Sequence, residues 1–205
     1  MNIGFIGFGS FAKLRLKYLQ KDNSVNIIGA YDPFQNQFEG LTRYHDIDHL
    51  LSKSDAVFVS VPPKLAPQYC AEALGKGIHV FCEKPPGRNI EDIVKVVSEE
   101  RRHPNLKLMY GFNHRYHKSV VFTKNIIDSK KLGNLVNIRA IYGKSKILNF
   151  SSSNWRSDKK FAGGGILLDQ GIHMLDLIKY FNNNSIFKQY KSFISNKFWG
   201  YNVED

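Results

Sequence analysis

Cysteine is almost absent. Cys70 and Cys82 are the only two in 205 residues, too few for a disulfide framework and, alone, too few for a structural zinc site. No metal centre is expected. No stretch approaches the roughly 18 uninterrupted apolar residues of a membrane-spanning helix, so no membrane partner is expected. The chain runs directly into Met1-Asn2-Ile3-Gly4-Phe5-Ile6, with no basic region ahead of an apolar one, so no secretory signal is read and a cytoplasmic location is expected. Internal repeats and low-complexity linkers are missing as well. What is present is ample material for a core, 42% hydrophobic with 13% aromatic, which excludes a disordered chain. The length suits one large domain or a domain and a half.

The net charge is +11, and it is unevenly placed. Residues 1–110 carry 14 basic and 12 acidic side chains, a balance of +2, whereas residues 111–205 carry 15 and 6, a balance of +9. No helix-turn-helix, zinc-finger or aromatic RNA-binding signature accompanies the excess, which sets nucleic acid aside. Two readings stand: a solvated basic face, or a cleft that focuses phosphate-bearing small ligands.

The first 110 residues alternate short apolar runs with longer amphipathic ones. Strands are expected at Ile3–Ile6, Val25–Tyr31, Thr42–Tyr44, Ala56–Val61, Ile78–Cys82 and Leu106–Tyr110. Helices are expected between them, including one after Asp46, one over Pro67–Lys76, and one capped by Asn89 with Glu91 and Asp92 in its first turn. Such alternation predicts an α/β fold with a doubly wound parallel sheet. After Gly111 the texture changes. Lys118–Ser129 has a helical stripe, Leu135–Ile147 reads as a long strand, and Ser151–Gly165 is polar and glycine-rich. Gly165–Tyr180 returns to helical periodicity, and Ile186–Ser195 reads as a further strand. Two domains follow, residues 1–115 and 116–205.

Gly7-Phe8-Gly9-Ser10-Phe11-Ala12 is G-x-G-x-x-A between a strand and a helix. The first glycine makes the tight turn, the second lets backbone approach a pyrophosphate, and Ala12 lets helix pack on strand. Ser10 and Phe11 open that helix, whose N-terminus presents free N–H groups to an anion. Asp32 follows Gly9 by 23 residues at the end of the second strand. Its carboxylate suits ribose hydroxyls and repels a 2′-phosphate, so NAD is expected over NADP. Farther on, Phe81-Cys82-Glu83-Lys84-Pro85-Pro86-Gly87 leaves a strand and breaks sharply. Lys84 is then either a proton donor or oxygen clamp at the ligand edge of the sheet, or a solvent-facing loop lysine.

Glu83-Lys84-Pro85, Gly111-Phe112-Asn113-His114-Arg115 and Gly163-Gly164-Gly165-Ile166-Leu167-Leu168-Asp169-Gln170-Gly171-Ile172-His173 occur in the order seen in one family. With the glycine loop, residues 2 to about 180 resemble the glucose–fructose oxidoreductase, inositol dehydrogenase and rhizopine catabolism (Gfo/Idh/MocA) family. The resemblance implies an N-terminal Rossmann domain and a C-terminal α+β domain on an open, mainly antiparallel sheet. It also implies NAD(P)-linked oxidation or reduction of a sugar, cyclitol or nucleotide sugar, and a homo-oligomer formed through the C-terminal sheet. Lys84, Asp169 and His173 match the family's catalytic positions, and Pro62 and Glu83 are further candidate cofactor contacts. Members often carry Asn and His in the loop after the fourth strand, where this chain has Pro63 and Ala66.

Asp169 and His173 are i and i+4, which places them on one helical face about 5–6 Å apart at Cβ. Asp176 then either orients the His173 ring or ends the exposed face. His173, with an ordinary pKa of about 6.5, suits general acid–base work at neutral pH. Lys84 would stabilise the developing alkoxide, although relatives differ over which of the two takes the proton. Asn113, Arg115, Trp155 and Arg156 are candidate substrate contacts beside Lys84, Asp169 and His173, with Arg156 the choice for a phosphate or carboxylate. The Trp155-Arg156 stretch looks like sequences from bacterial surface-polysaccharide clusters. The chain ends at Asp205, short of typical members, so a truncated second domain is expected. A weakly active NAD-binding protein, or a glycosidase-type relative, are the alternatives.

Overall fold

The computed structural model describes residues 1–143, 154–198 and 200–205. Contacts within the chain divide it into two units, Met1–Gly111 and Phe112–Asp205.

The first unit is built on six parallel strands: β1 (Asn2–Ile6), β2 (Asn26–Tyr31), β3 (Arg43–Tyr44), β4 (Ala56–Val59), β5 (His79–Cys82) and β6 (Leu108–Tyr110). Their spatial order is β3-β2-β1-β4-β5-β6, so the chain crosses over between β1 and β4, and both halves of the sheet run outward from there. Connecting helices α1 (Ser10–Leu19), α2 (Ile47–Leu51), α3 (Ala66–Gly75) and α4 (Ile90–Arg102) cover the two faces.

The central strand shows why. Phe5 and Ile6 are successive residues on opposite faces of β1, and both are fully buried. Phe5 joins Phe8, Ala12, Leu16, Ala30 and Phe38 beneath α1. Ile6 joins the larger cluster under α3 and α4, with Val57, Val59, Leu74, Val80 and Val96. Each large apolar side chain buried this way contributes about 1.5–3 kcal/mol, and a strand apolar on both sides is stable only in the middle of a covered sheet.

Asp46 caps α2, accepting from the amides of Asp48 and His49. Asn89 caps α4, accepting from the amide of Asp92 at 3.0 Å.

The second unit contains α5 (Lys118–Asp128), the single turn α6 (Lys159–Ala162) and α7 (Ile172–Phe181). Two expectations are corrected here. Neither the described part of the 135–147 segment, residues 135–143, nor Ile186–Ser195 forms a strand. Residues 144–147 lie outside the described residues, as do 151–153 of the polar stretch. The physical reason is partnership: an extended segment becomes a strand only when a neighbour takes up its N–H and C=O groups. Among the described residues, 135–143 and 186–195 find no such ladder.

The helix expected over Gly165–Tyr180 is also not uniform. Leu167–Gly171 is a π-helical turn, and regular α-helix starts only at Ile172. Among the described residues no helix is long and apolar enough to cross a membrane.

Candidate active site

In the first unit, Gly7 turns the chain out of β1 at φ +82°. A Cβ there would stand 2.6 Å from the Ser60 carbonyl oxygen, so only glycine lets the loop close against the end of β4. The Gly7 amide donates to the Tyr31 carbonyl at 2.8 Å, which ties the loop to β2. Gly9 differs. It is extended, and a Cβ built on it would meet nothing within 4 Å. This chain's own packing does not require glycine there, whereas close approach of a ligand does. Next to it, α1 starts with no side-chain cap and no acidic residue in its first turn. Its leading N–H groups and positive dipole end are left for an anion.

Asp32 is joined to this loop. One carboxylate oxygen accepts from the Phe8 amide at 2.8 Å and the other from the Phe34 amide at 2.9 Å. An ionised carboxylate has about four acceptor sites, so capacity remains for a diol. Just past β4, the Ser60 hydroxyl is buried with no hydrogen-bond partner among the described residues. Sequence reasoning passed over Ser60. Its signal was being the one polar residue in the run from Ala56 to Val61. Pro62 is half-buried, and its carbonyl accepts from Leu65 and Ala66 at the entry to α3. These features, a space a Cβ would fill, a free helix start, a tied carboxylate and an orphaned hydroxyl, fit a dinucleotide.

The lysine turn follows β5. Glu83 accepts two hydrogen bonds from Arg15 of α1, at 3.0 and 2.8 Å, and the Arg15 guanidinium lies over the Phe81 ring, 4.9 Å from its centroid. Arg15 thereby links the dinucleotide helix to the Glu83-Lys84-Pro85 turn, and no spacing rule pointed to it. A Cβ on Gly111 would come within 2.8 Å of the second Glu83 oxygen, so glycine makes room for this carboxylate. Lys84 is half-buried. The Cys82 thiol is pushed well up by its hydrogen bond with Cys70 and by burial, so it stays protonated next to the turn.

A cavity of about 320 Å³, lined by Asp48, Ser52, Asp55, Lys76 and His79 among others, opens at the other, amino-terminal edge of this sheet. Ligands in such folds bind outside the carboxyl ends of the strands, which is where Gly9, Asp32, Ser60 and Lys84 lie.

In the second unit, the turn Asn113–Tyr116 and α7 carry the candidate residues. Asn113 is exposed, and His114 and Arg115 are half-buried. Two of the residues singled out in the sequence pair with each other. Arg115, expected at the substrate, is held by the carboxylate of Asp176 through its Nε at 2.8 Å and its Nη2. Asp176, with an 8% exposed side chain, orients Arg115 and is accounted for by that pair. A planar guanidinium meeting a carboxylate by two parallel bonds is a strong pairing, which a sequence spacing of 61 residues could not announce.

His173 is buried at 4% exposure. The His114 ring stacks on it with centroids 4.1 Å apart and planes 14° from parallel. Phe112 presents its edge to His173 at 6.1 Å, and Tyr142 stacks on His114 at 6.0 Å.

Asp169 sits in the π-turn, where its Oδ2 accepts from the side-chain Nε2 of Gln170 at 2.8 Å. The regular i, i+4 spacing expected for Asp169 and His173 is therefore modified by the wider turn. Arg156 is largely desolvated, and burial holds its guanidinium below the ordinary value while nearby Asp169 opposes that shift. It lies over the Trp155 ring, 4.2 Å from the centroid. The glycine run 163–165 has its own packing reason. The Ile166 amide donates to the Glu204 carbonyl at 3.1 Å, and a Cβ on Gly165 would collide with the Glu204 backbone.

Comparison with known proteins covers both units. A family model described as an oxidoreductase family with an NAD-binding Rossmann fold matches residues 1–112, and the GFO/IDH/MocA C-terminal domain matches residues 120–205. Glucose-6-phosphate 3-dehydrogenase of Bacillus subtilis (strain 168) is 29% identical over 187 residues, 87% of this chain and 53% of that protein. D-glucoside 3-dehydrogenase of Escherichia coli (strain K12) is 27% identical over 192 residues, 88% of this chain and 53% of that protein. The crystal structure of myo-inositol 2-dehydrogenase from Lactobacillus plantarum, 28% identical, superposes with a TM-score of 0.77 over 88% of this chain and 56% of its own. The chain spans about half the length of the curated relatives it matches. Matched in both units, and with a sheet order and glycine loop suited to a dinucleotide, the chain belongs to the GFO/IDH/MocA oxidoreductase family.

Proposed function

We propose that the protein transfers a hydride between NAD and a secondary ring carbon of a sugar, cyclitol or nucleotide sugar, with an anionic, phosphate-bearing sugar as the preferred class. The observation that carries this reading is the loop in which Gly9 leaves open space and Asp32 is tied to the Phe8 amide. That carboxylate disfavours a 2′-phosphate, which supports NAD over NADP. NAD, when bound, supplies the hydride acceptor.

The chain's own residues do the rest. His173 takes the hydroxyl proton during oxidation and returns it during reduction. Lys84 donates a hydrogen bond to the oxygen that becomes alkoxide-like, stabilising charge as it develops. Asp169 accepts from a neighbouring ring hydroxyl. Asn113, Trp155 and Arg156 contact the substrate, Arg156 meeting its phosphate, while Arg115 braces Asp176. Support for the substrate class comes from the +9 balance of residues 111–205 and from two relatives whose names specify sugar 3-dehydrogenases.

The test is a scan of absorbance at the reduced-nicotinamide band. NAD and NADP are each offered with glucose, glucose 6-phosphate, myo-inositol and a nucleoside-diphosphate glucose. A rise with NAD and a phosphorylated sugar is expected. Release of free sugar without net NADH, or no rise with any substrate while NAD binds, overturns the reading.

A further inference from the structure

We propose that His114 is the positioning residue of His173, and that the two stacked imidazoles take up a single proton between them. This rests on the reading of His173 as the proton acceptor. The rings lie 4.1 Å apart at 14°, and Phe112 meets His173 edge-on at 88°. Turning the His173 ring about its Cβ–Cγ bond would drive it into one or the other, so the stack fixes the plane in which its nitrogens face a substrate. Tyr142 stacks on His114 as well, with centroids 6.0 Å apart and planes 18° from parallel. The His117 amide donates to the His114 carbonyl at 3.1 Å, holding the backbone of the turn.

The same geometry governs charge. A proton taken up by His173 gives a cation lying over the face of a neutral aromatic ring, which is favourable. A second proton, on His114, would place two cations at stacking distance in a largely buried setting. Like charges so close displace the second protonation, and the titration then belongs to the pair.

Among the described residues, charged groups on the elements that carry the stack pair with one another. Arg115, next to His114, is neutralised by Asp176 from α7. Asp169 and Arg156, one from the π-turn before His173 and one from the turn at 155–157, act on each other. Lys124 of α5 pairs with Asp128 and lies over the Tyr180 ring.

The test compares the full chain with His114→Phe, which keeps a flat ring, and His114→Ala, which does not. Imidazole Hε1 resonances are followed by NMR from about pH 5 to 9. In the unaltered chain both rings should report two steps separated by more than about one pH unit. In His114→Phe, His173 should titrate in one step. In turnover, His114→Phe should stay within about threefold of the parent, whereas His114→Ala should lose about tenfold or more in kcat with KM little changed.

An identical His173 titration in the parent and His114→Phe overturns the shared proton. Parental kcat in His114→Ala, or equal loss in both variants, overturns the positioning role. The NMR arm needs no turnover, so it decides the pairing even if the proposed reaction fails, and His114→Phe decides it if His114→Ala does not fold.

Discussion

Gly7 and Gly9 are two residues apart and are glycine for different reasons. Gly7 sits at positive φ with the Ser60 carbonyl against it, so Gly7→Ala strains the fold. Gly9 faces open space at ordinary dihedrals. Gly9 is the N-cap of α1, so Gly9→Ala should lower Tm by no more than a few degrees, the effect of replacing a glycine N-cap by alanine at a cost of roughly 0.5–1 kcal/mol. It should nevertheless raise the NAD Kd at least about tenfold, because a methyl group occupies the approach to the pyrophosphate. Equilibrium dialysis beside thermal melts separates the two effects, and unchanged NAD affinity would count against the cradle.

Lys84→Met should bind NAD normally and lose turnover by about two to three orders of magnitude, as removal of a charge-stabilising donor does. Near-normal turnover would falsify its role. At this scale the places of the glycines, Asp32 and Lys84 at the ends of strands were legible, because each follows from the local order of strand, turn and helix. Arg115, Arg15 and His114 were not, since their partners, Asp176, Glu83 and His173, lie 61, 68 and 59 residues away in the chain.

Helix α4 starts with a local device that is readable in sequence. Asn89 caps it, and Asp92 accepts from Arg88 through the backbone amide at 3.0 Å and through Nε at 2.8 Å. The Arg88 hydrogen bond holds the Asp92 carboxyl below the usual range. The unfolded chain takes up that proton near about 3.9, so the stabilisation is fully present above that pH. It is lost as pH falls through the lower folded value. Asp92→Asn should lower stability at neutral pH by about 1–2 kcal/mol, and should flatten the loss of Tm seen below about pH 4. Equal acid sensitivity in the two proteins would remove Asp92 from that account.

The other elements were less legible. The apolar stripe after Gly165 gives a helix but not its π-turn at Leu167–Gly171, because a wider turn keeps nearly the same spacing of apolar residues. The strands read at 135–147, in its described part 135–143, and at 186–195 show the opposite failure. Apolar alternation prepares a strand, and only a partner strand completes one.

Across the whole molecule, charge is the feature with a measurable consequence. The +9 balance of residues 111–205 predicts that KM for a phosphorylated substrate rises with ionic strength. At about 0.15 M the screening length is already near 8 Å. KM for a neutral sugar should hardly move. Equal salt dependence for both substrates would leave the excess as a solvated face.

The order of buried and amphipathic runs determined the α/β alternation, the dinucleotide loop and the capped helices by itself. Each of these follows from hydrogen bonds and packing between near neighbours in the chain. Tertiary structure alone decided that Arg115 serves Asp176, that Arg15 ties α1 to Glu83, and that His114 lies on His173. Those partners are set by which surfaces meet when distant elements pack, and a local pattern carries no information about that.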